Sequence, residues 1–453
     1  MTSSTMGAPN MPTSTVSSPP AGAIQLGWHT DTSSALGFAT DHPLASPSSD
    51  QPLYLKDEGH LFTVAPTGKG KGRSNIIPTL LTYPGSVLVV DPKGEAAATT
   101  RRQRSAFGDV VVLDPYELVT DEPDRFNPTD VCAIISGSTV ENALMLTELL
   151  RPDFTGSLHD PFWDNWADTI LSGCLAYLVE HVEAGDCHFA ALREMLMYDD
   201  VTYNLAVLLD KTEDIHPYAR DAIAQYLQLP SERTRPSVLA TAQQHLRLFG
   251  DPAVAASVMD TTFDVEAFTR GDPITIYLVL PPAKLRSHAV LLRIWVASLL
   301  TLIVERSRRP ALETLFIVDE AAQLGTLESF RTATSLLRGY GLRVWSFWQD
   351  LSQVKLLYPN DWQTMINNAA VFQTFGVANW KMAGEIAEIV GRVSPDQLLG
   401  LSADQQLIAR PGGEVHLCRK LDYLNDPLYQ GHYDPNPMFD TPNCHDSSDA
   451  PSR

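Results

Sequence analysis

Cysteine is scarce in this sequence of 453 residues, and its spacing indicates neither a metal site nor a disulfide framework. The five cysteines form no C-x-x-C pair, and the 12 histidines are scattered without the spacing of metal ligands. This usage is typical of a protein of the reducing cytosol. The cysteines are Cys132, Cys174, Cys187, Cys418 and Cys444.

Long hydrophobic runs are also missing. No basic segment followed by an apolar one opens the chain, which excludes a secretory signal. The longest apolar segment, residues 289–304, is shorter than the ~20 residues of a membrane-spanning helix and contains Arg293. We therefore predict that this segment is a buried core helix. With 44% hydrophobic residues and a mean hydropathy of −0.09, the chain is typical of a globular protein.

Basic residues are outnumbered, since 33 Lys and Arg stand against 54 Asp and Glu, a formal net charge of −21. A protein that coats its outer surface with DNA is usually basic, because neutralisation of phosphate supplies most of the non-specific affinity. Any contact with nucleic acid must therefore be local, as in a channel. The arginines considered for such a lumen, with solvated surface as the alternative, are Arg101, Arg102, Arg104, Arg233 and Arg235.

Residues 64–73 form a glycine-rich loop between two apolar segments. Glycines let consecutive N–H groups point at an anion, the following helix adds its positive end, and a lysine, here Lys71, reaches the terminal phosphates. The usual pattern is Gly-x-x-x-x-Gly-Lys-Ser/Thr. Here Ala65 and Gly72 stand at its first and last positions, so a surface turn is the alternative. The residues assigned to phosphate binding are Thr67, Gly68, Lys69, Gly70, Lys71, Gly72 and Arg73.

A second stretch, residues 315–320, is an apolar run that ends in two carboxylates. This is expected of a buried parallel strand that delivers acids to the carboxyl edge of a sheet. There, Asp319 would hold Mg²⁺ through water and Glu320 would polarise the attacking water. An ordinary strand-to-helix cap is the alternative for this stretch alone. Together with the glycine-rich loop, it favours an NTPase that uses Mg²⁺.

A helix predicted after Glu320 ends at Gly339 and carries Arg338 in its last turn. A cation there favours the helix dipole, and this structural role is the alternative to a catalytic one. The next strand brings Gln349 to the carboxyl edge beside Asp319 and Glu320. A glutamine there can sense the γ-phosphate, or it can be an ordinary edge residue. The buried face of the helix is predicted to comprise Leu327, Phe330, Thr334 and Leu337.

Alternating strands and helices predict an α/β fold that is interrupted by a helical region. The predicted strands are residues 61–65, 87–91, 110–114, 274–280, 315–319, 342–349 and 371–375, and the helix over 73–81 is expected to be kinked or shortened by Pro78. Asp91 ends the second strand, either as a helix cap or as a functional residue. The predicted divisions are a disordered segment 1–52, an α/β domain in two parts, 53–133 and 256–438, an inserted all-α domain 134–255, and a flexible acidic tail 439–453.

These features together resemble the type IV secretion coupling proteins, the TraG-type conjugative DNA-transfer ATPases of the RecA/FtsK/HerA group. The resemblance covers roughly residues 55–438, and Gly72 is what this family shows. The motifs that carry it are Ala65-Pro66-Thr67-Gly68-Lys69-Gly70-Lys71-Gly72, Asp91-Pro92-Lys93-Gly94-Glu95, Phe126-Asn127-Pro128, Phe162-Trp163, Val318-Asp319-Glu320, Arg338-Gly339-Tyr340-Gly341, Gln349, and Tyr433-Asp434-Pro435-Asn436-Pro437.

The resemblance implies a RecA-like P-loop NTPase domain with an inserted all-α domain, a homo-hexameric ring, and ATP-driven passage of substrate toward a secretion channel. In these terms Lys71 binds phosphate, Asp319 binds magnesium and Glu320 activates water. Gln349 senses the nucleotide, and Arg338 acts as a finger in the neighbouring subunit. The implied partners are DNA, expected as a single strand, a relaxase or secreted protein, and components of the type IV secretion channel.

Members of this family usually begin with transmembrane helices, and this sequence offers none, which puts direct membrane anchoring in doubt. We expect a cytoplasmic protein that reaches the inner face of the cell membrane through a partner. Three functions stay open: a coupling ATPase of a conjugation apparatus, a soluble DNA translocase of the HerA/FtsK kind, and an NTP-binding adaptor that does not hydrolyse. Glu320 beside Asp319 argues against the adaptor.

Overall fold

The computed structural model describes residues 20, 22–29, 51–55, 58–151, 161–230 and 232–437. Most of the predicted segment 1–52 and the whole predicted tail 439–453 lie outside these ranges. Within the described ranges, a sheet of 11 strands forms the centre, in the order β2-β1-β11-β10-β9-β3-β8-β7-β4-β6-β5. The strands are β1 (Ile24–His29), β2 (Gln51–Leu55), β3 (His60–Val64), β4 (Val87–Asp91), β5 (Asp109–Leu113), β6 (Ile274–Val279), β7 (Thr314–Val318), β8 (Leu342–Trp348), β9 (Ala369–Thr374), β10 (Gln405–Arg410) and β11 (Glu414–Arg419).

The strands from β9 to β5 in this order run parallel to one another. They confirm the predicted strands, each within two residues of its predicted bounds. Strands β3, β4 and β7 are buried along their whole length, as expected where helices cover both faces of a parallel sheet. Since parallel strands end at one edge, the segments that follow β3, β7 and β8 meet there.

The other part of the sheet is antiparallel, and the sequence pattern does not predict it. Strand β1 lies within residues 1–52, and the predicted disorder of that segment is wrong for Ile24–His29. Strand β1 pairs with β2 on one side and with β11 on the other, and Ile24, Leu26 and Trp28 are at most 4% exposed. Ile24 and Leu26 belong to a hydrophobic cluster that also contains Leu53 of β2 and Cys418 of β11. Their burial thus depends on a partner strand from the opposite end of the chain.

The helices divide as the sequence predicts, with an all-helical run between β5 and β6 and strands alternating with helices elsewhere. The α-helices are α1 (Ile77–Thr82), α2 (Glu95–Arg104), α3 (Thr139–Glu148), α4 (Pro161–His181), α5 (Phe189–Met195), α6 (Val201–Lys211), α7 (Pro217–Gln228), α8 (Thr234–His245), α9 (Pro252–Ser257), α10 (Val265–Arg270), α11 (Ala289–Val304), α12 (Glu328–Ser335), α13 (Leu351–Leu357), α14 (Trp362–Asn367), α15 (Trp380–Val390) and α16 (Pro395–Leu399). The limits of the inserted domain, residues 134–255, stay a prediction.

Helix α4 organises the helical region, and it packs against α3, α7 and α8. Ile170, Cys174 and Leu178 are buried in this packing, and Trp163 and Trp166 lie partly buried against the same core. The face that these residues form is therefore hydrophobic core rather than a ligand site.

The predicted helix over residues 73–81 is divided. A π turn, Gly72–Ile76, precedes α1, and the N–H of Ile77 donates to the carbonyl of Gly72. Pro78 lies in the first turn of α1, where the missing N–H of a proline costs no helical hydrogen bond. Pro78 therefore marks the start of a helix and does not kink one.

Helix α12 is also shorter than predicted, because it ends at Ser335 and a 3-10 turn, Leu337–Tyr340, completes the predicted helical stretch. Gly341 ends the stretch with a φ angle of +76°, two residues after the predicted Gly339. The predicted buried face is confirmed, since each of its side chains is at most 4% exposed: Leu327, Phe330, Thr334 and Leu337.

Helix α11 has the bounds predicted for residues 289–304 and is buried along most of its length. Its charged residue, Arg293, is 8% exposed and donates to the carbonyl of Arg151 at 3.3 Å. Within the described ranges, no helix combines the length and the apolar character that crossing a membrane requires. The prediction that α11 is a core helix is confirmed.

Candidate functional site

The glycine-rich loop leaves the sheet at the carboxyl end of β3 and leads into the π turn. Gly68 and Gly70 have φ angles of +76° and +94°, which residues with a Cβ atom rarely adopt. At the start of the loop, the N–H of Ala65 donates to the carbonyl of Trp348 in β8 at 2.9 Å. At its end, the N–H of Ser74 donates to the carbonyl of Gly70 at 2.8 Å. A bend of this kind can hold an anion on backbone N–H groups.

Lys71 lies inside this loop with 7% of its side chain exposed. Its Nζ atom donates to the carbonyl of Ala65 and to the Oε1 atom of Glu320, each at 3.3 Å. The ammonium group thus bridges the glycine-rich loop and the end of β7. The structure places the predicted phosphate-binding lysine beside the predicted general base.

Glu320 is held from two sides in an unusual backbone conformation. Its φ and ψ angles are 55° and 54°, the left-handed region that non-glycine residues seldom occupy. One carboxylate oxygen accepts from Lys71 at 3.3 Å, and the other accepts from the Nε2 atom of Gln349 at 2.5 Å. Backbone strain persists only where the surroundings fix it, and it concentrates at functional sites.

Gln349 follows the last residue of β8, the strand beside β7. Its backbone N–H donates to the Oε1 atom of Gln353 at 2.9 Å, which anchors the main chain at this point. The hydrogen bond to Glu320 confirms the predicted position of Gln349 at the carboxyl edge. Its role as a nucleotide sensor stays a prediction.

The carboxylate of Asp319 has the features of a cation ligand. Its Oδ1 atom is buried and has no hydrogen-bond partner among the described residues. Burial and the neighbouring Glu320 raise the pKa of Asp319 to about 6, against the opposing effect of Lys71 and Lys93. A divalent cation would satisfy this oxygen and offset the repulsion between the two carboxylates, so Asp319 fits the assignment to Mg²⁺.

These groups border a cavity of about 400 Å³, which Thr67, Lys71 and Asp319 line together. Lys69 instead lines a neighbouring cavity of about 650 Å³ and packs its side chain against Gly376. The predicted loop residues therefore surround two adjoining spaces. Their lysine, glycines and paired carboxylates suit a phosphate chain with a divalent cation.

The charged residues at and after the end of β4, for which the sequence left a helix cap and a functional role open, lie at the site. Asp91 accepts from the N–H of Ala97 at 2.8 Å, so it caps α2 as one of its two interpretations predicts. Burial, and less so the nearby Asp319, raises the pKa of Asp91 to about 7 although the backbone hydrogen bond from Ala97 lowers it. Lys93 and Glu95 line the 400 Å³ cavity. The sequence placed these charged residues at the carboxyl edge but gave Lys93 and Glu95 no specific role.

The chain after β11 also reaches the loop, which sequence reasoning missed. Asp422 accepts two hydrogen bonds from the guanidinium of Arg73, at 2.7 and 2.6 Å. The Nζ atom of Lys420 donates to the carbonyl of Lys69 at 3.0 Å. The only signal in the sequence was the charged run around residues 419–422, and this run does not indicate which residues it contacts.

Arg338 does not join these residues. It lines a separate cavity with His60 and Ala369, the first residues of β3 and β9, so it lies at the amino edge of the parallel strands. Its side chain is 53% exposed and lies 3.6 Å from the carboxylate of Glu58. Arg338 therefore cannot serve the site of its own subunit, and its assignment to a neighbouring subunit stays a prediction.

The arginines considered for a channel lumen differ in their burial and in their contacts. Arg104 is fully buried and donates to backbone carbonyls such as that of Gly85 at 2.7 Å, so it holds the fold together and cannot face a lumen. Arg101 and Arg233 are exposed. Arg102 pairs with Asp434 at 2.7 Å, and Arg235 donates to the carbonyl of Leu229 at 2.7 Å.

Comparison with known sequences gives a match to a family over most of the chain. The sequence model of the family described as "Type IV secretory system Conjugative DNA transfer" matches residues 38–397. The conjugal transfer protein TraG of Escherichia coli is 27% identical over 366 residues, which are 76% of this chain and 56% of TraG. Protein VirD4 of Agrobacterium fabrum is 28% identical over 351 residues, 74% of this chain and 50% of VirD4. The chain spans about half the length of the curated relatives that it matches.

Solved structures of the same general fold include the bacterial conjugative coupling protein TrwB, in a form with sulphate, and VirB4 of Thermoanaerobacter pseudethanolicus. The solved chain, TrwBdeltaN70, matches with a TM-score of 0.61 and 16% identity, over 80% of this chain and 85% of the solved chain. VirB4 matches with a TM-score of 0.56 and 12% identity, over 91% and 99%. The likeness confirms the predicted fold class, an α/β RecA-like domain with helical additions.

Proposed function

The chain belongs to the family of type IV secretory system conjugative DNA transfer proteins, and from this premise we propose that it is an ATP-hydrolysing coupling protein. It would recruit DNA or a nucleoprotein and drive it to a type IV secretion channel. The observation that carries the proposal is the meeting of Lys71, Glu320 and Gln349 at one edge of the sheet. Beside them lies the Oδ1 atom of Asp319, which no described residue pairs by a hydrogen bond.

ATP and Mg²⁺ are the cofactors that this site fits. The loop N–H groups and Lys71 would hold the phosphates, and Asp319 would hold the cation. The cation supplies neutralisation of the negative charge that develops on the phosphates. TrwB structures with ADP and Mg²⁺ and with a non-hydrolysable ATP analogue support this choice, since that protein has the same fold.

The contacts of Glu320 suggest how phosphate binding readies the site for hydrolysis. Lys71 is bound to Glu320 in the structure, and a phosphate in the loop would draw the ammonium group away. Glu320 would then have a free oxygen for the attacking water, while Gln349 keeps the other oxygen in place. The arrival of the nucleotide would thus free the carboxylate that accepts the proton of water.

The proposal also covers the role of Arg338 and the assembly of the subunits. Because Arg338 lies at the amino edge of the sheet, it would act on the nucleotide of a neighbouring subunit, in a homo-hexameric ring. The expected cargo is single-stranded DNA with a relaxase or a secreted protein, and the ring would meet the membrane through channel components. An acidic chain with a net charge of −21 would bind DNA in the ring rather than over its outer surface.

The test of this function is DNA transfer by donor cells that carry the chain with Glu320→Gln at its normal level. We expect transfer to be lost while the protein accumulates as in the wild type. Transfer at the wild-type frequency would refute a role for its ATP hydrolysis in conjugation.

A further inference from the structure

Arg73 of the glycine-rich loop forms a two-pronged ion pair with Asp422, from near the other end of the chain. Its Nε and Nη2 atoms donate to the Oδ1 and Oδ2 atoms of Asp422 at 2.7 and 2.6 Å. A carboxylate bound in this way takes the place that two phosphate oxygens can take on a guanidinium. We propose that Asp422 competes with the nucleotide for Arg73, so that nucleotide binding breaks this ion pair. The proposal rests on the proposed function, since it requires a nucleotide at the loop.

Arg73 lines both of the cavities that adjoin the glycine-rich loop. It lines the 400 Å³ cavity together with Lys71 and Asp319, and it also lines the 650 Å³ cavity together with Asp422. Arg73 therefore borders the space on the phosphate side of the loop, while its guanidinium is bound to Asp422. The guanidinium of Arg73 would attract both an anion held by the loop and the carboxylate of Asp422, so the two would compete for one positive charge.

Asp422 belongs to a segment that we call the strap, residues 420–437, which crosses the loop and α2. The strap is anchored independently of Arg73. Asp426 accepts from the N–H of Asp422 at 2.8 Å and from the Nε1 atom of Trp28 in β1 at 2.9 Å. Asp434 accepts from Arg102 in α2 at 2.7 Å. Loss of the Arg73 contact would therefore alter the strap at the loop while its other anchors remain.

The exposure of the pair sets the expected size of the effect. The side chains of Arg73 and Asp422 are 47% and 23% exposed. Ion pairs this open to water are weak, so removing the competitor should tighten nucleotide binding only about two- to fivefold. The opposite role, in which Asp422 orients Arg73 toward the nucleotide, would weaken binding when Asp422 is replaced.

The experiment measures the Kd of a non-hydrolysable ATP analogue with Mg²⁺ by isothermal titration calorimetry. We expect Asp422→Asn to tighten binding about two- to fivefold. Asp404→Asn is the matched control, because Asp404 lines the same 650 Å³ cavity but accepts from Ser402 and not from Arg73. It removes one negative charge near the loop and should change the Kd less than Asp422→Asn does. A melting curve shows that each variant is folded, and Asp422→Ser replaces Asp422→Asn if the latter is not.

A second background separates competition from the general effect of a lost charge. In Arg73→Gln, which has no guanidinium to compete for, Asp422→Asn should leave the Kd unchanged. Weaker or unchanged binding by Asp422→Asn, or the same gain in the Arg73→Gln background, overturns the competition while the proposed function stands. Failure of the wild type to bind the analogue overturns the proposed function, and the competition falls with it.

Discussion

The side-chain amide of Gln349 donates a hydrogen bond to Glu320 at 2.5 Å and so joins the ends of the neighbouring strands β8 and β7. The other carboxylate oxygen of Glu320 accepts from Lys71 at 3.3 Å. The position of this carboxylate thus depends both on the loop that would bind phosphate and on the strand end beside it. Under the proposed function, nucleotide binding and water activation would therefore be coupled through the side chain of Glu320.

This coupling predicts the effect of Gln349→Leu. Without the amide, Glu320 loses the contact that fixes it, so we expect kcat for ATP hydrolysis to fall about 10- to 100-fold. The Kd of the nucleotide should stay close to that of the wild type, because Gln349 is not part of the glycine-rich loop. Steady-state hydrolysis and analogue titration give the two quantities.

Gln323→Leu is the matched control, since Gln323 is exposed in the turn after Glu320 and should keep wild-type turnover. A lower affinity with unchanged kcat would show that Gln349 only supports binding.

A second prediction follows from the raised pKa of Asp319. The ordinary pKa of 3.8 rises to about 6 in the folded protein. Between about pH 4 and pH 6 the folded state therefore holds a proton that the unfolded state has released, so the free energy of unfolding decreases as the pH rises through this window. At pH 7 to 8, without nucleotide or Mg²⁺, Asp319→Asn should be more stable than the wild type by about 1–3 kcal/mol.

Chemical denaturation at several pH values checks this expectation. The stability difference should disappear below about pH 4, where the folded and unfolded wild type both carry the proton. The variant should also lose Mg²⁺-dependent ATP hydrolysis, because its amide is a poor substitute for an anionic ligand. If Asp319→Asn were less stable than the wild type at neutral pH, the carboxylate would be stabilised in a way that the burial of its Oδ1 atom does not explain.

Arg338 gives a prediction about subunit assembly. An arginine that acts on a neighbour's γ-phosphate contributes about 10³–10⁵ in rate in other NTPases, whereas a cation at a helix end contributes only ~0.3–1 kcal/mol to stability. We expect Arg338→Ala and Glu320→Gln to be nearly inactive alone. A mixture of the two should regain some ATP hydrolysis, because some interfaces then pair an intact Glu320 with an intact Arg338.

The control for this mixing experiment is native mass spectrometry, which shows whether mixed rings form. Arg331→Ala is the matched substitution, since Arg331 of α12 pairs with Glu328 on the same helix and should keep activity. If mixed rings form without any recovery of hydrolysis, Arg338 does not act between subunits. If Arg338→Ala lowered the melting temperature but kept activity, the role of Arg338 would be structural, through its contact with Glu58.

The parallel strands and most of the site could be predicted because their signals are local. Each parallel strand is a short apolar run, and Lys71 and Asp319 occur next to such runs. Although Lys71 and Glu320 lie 249 residues apart, a shared carboxyl edge of parallel strands is enough to bring them together.

The antiparallel strands and the strap could not be predicted, because what fixes them is distant in the chain. Strand β11 has mixed polar and apolar residues and is mostly half-buried, which gives no distinctive run. The contact of Arg73 with Asp422 joins residues 349 positions apart with no shared motif. The position of Arg338 depends on the 3-10 turn that replaces the end of a predicted helix, and sequence periodicity does not reveal such a turn.

The most direct measurement is steady-state ATP hydrolysis by the wild type and by Glu320→Gln, with the Kd of a non-hydrolysable ATP analogue for both and Lys71→Ala as the binding control. We expect the wild type to hydrolyse ATP in the presence of Mg²⁺ and Glu320→Gln to bind the analogue with near wild-type affinity while turnover falls at least about 100-fold. Lys71→Ala should lose binding, because the phosphates lose their buried cation. Hydrolysis by Glu320→Gln at the wild-type rate, or none by the wild type, would contradict the account of this chain as an ATP-hydrolysing coupling protein.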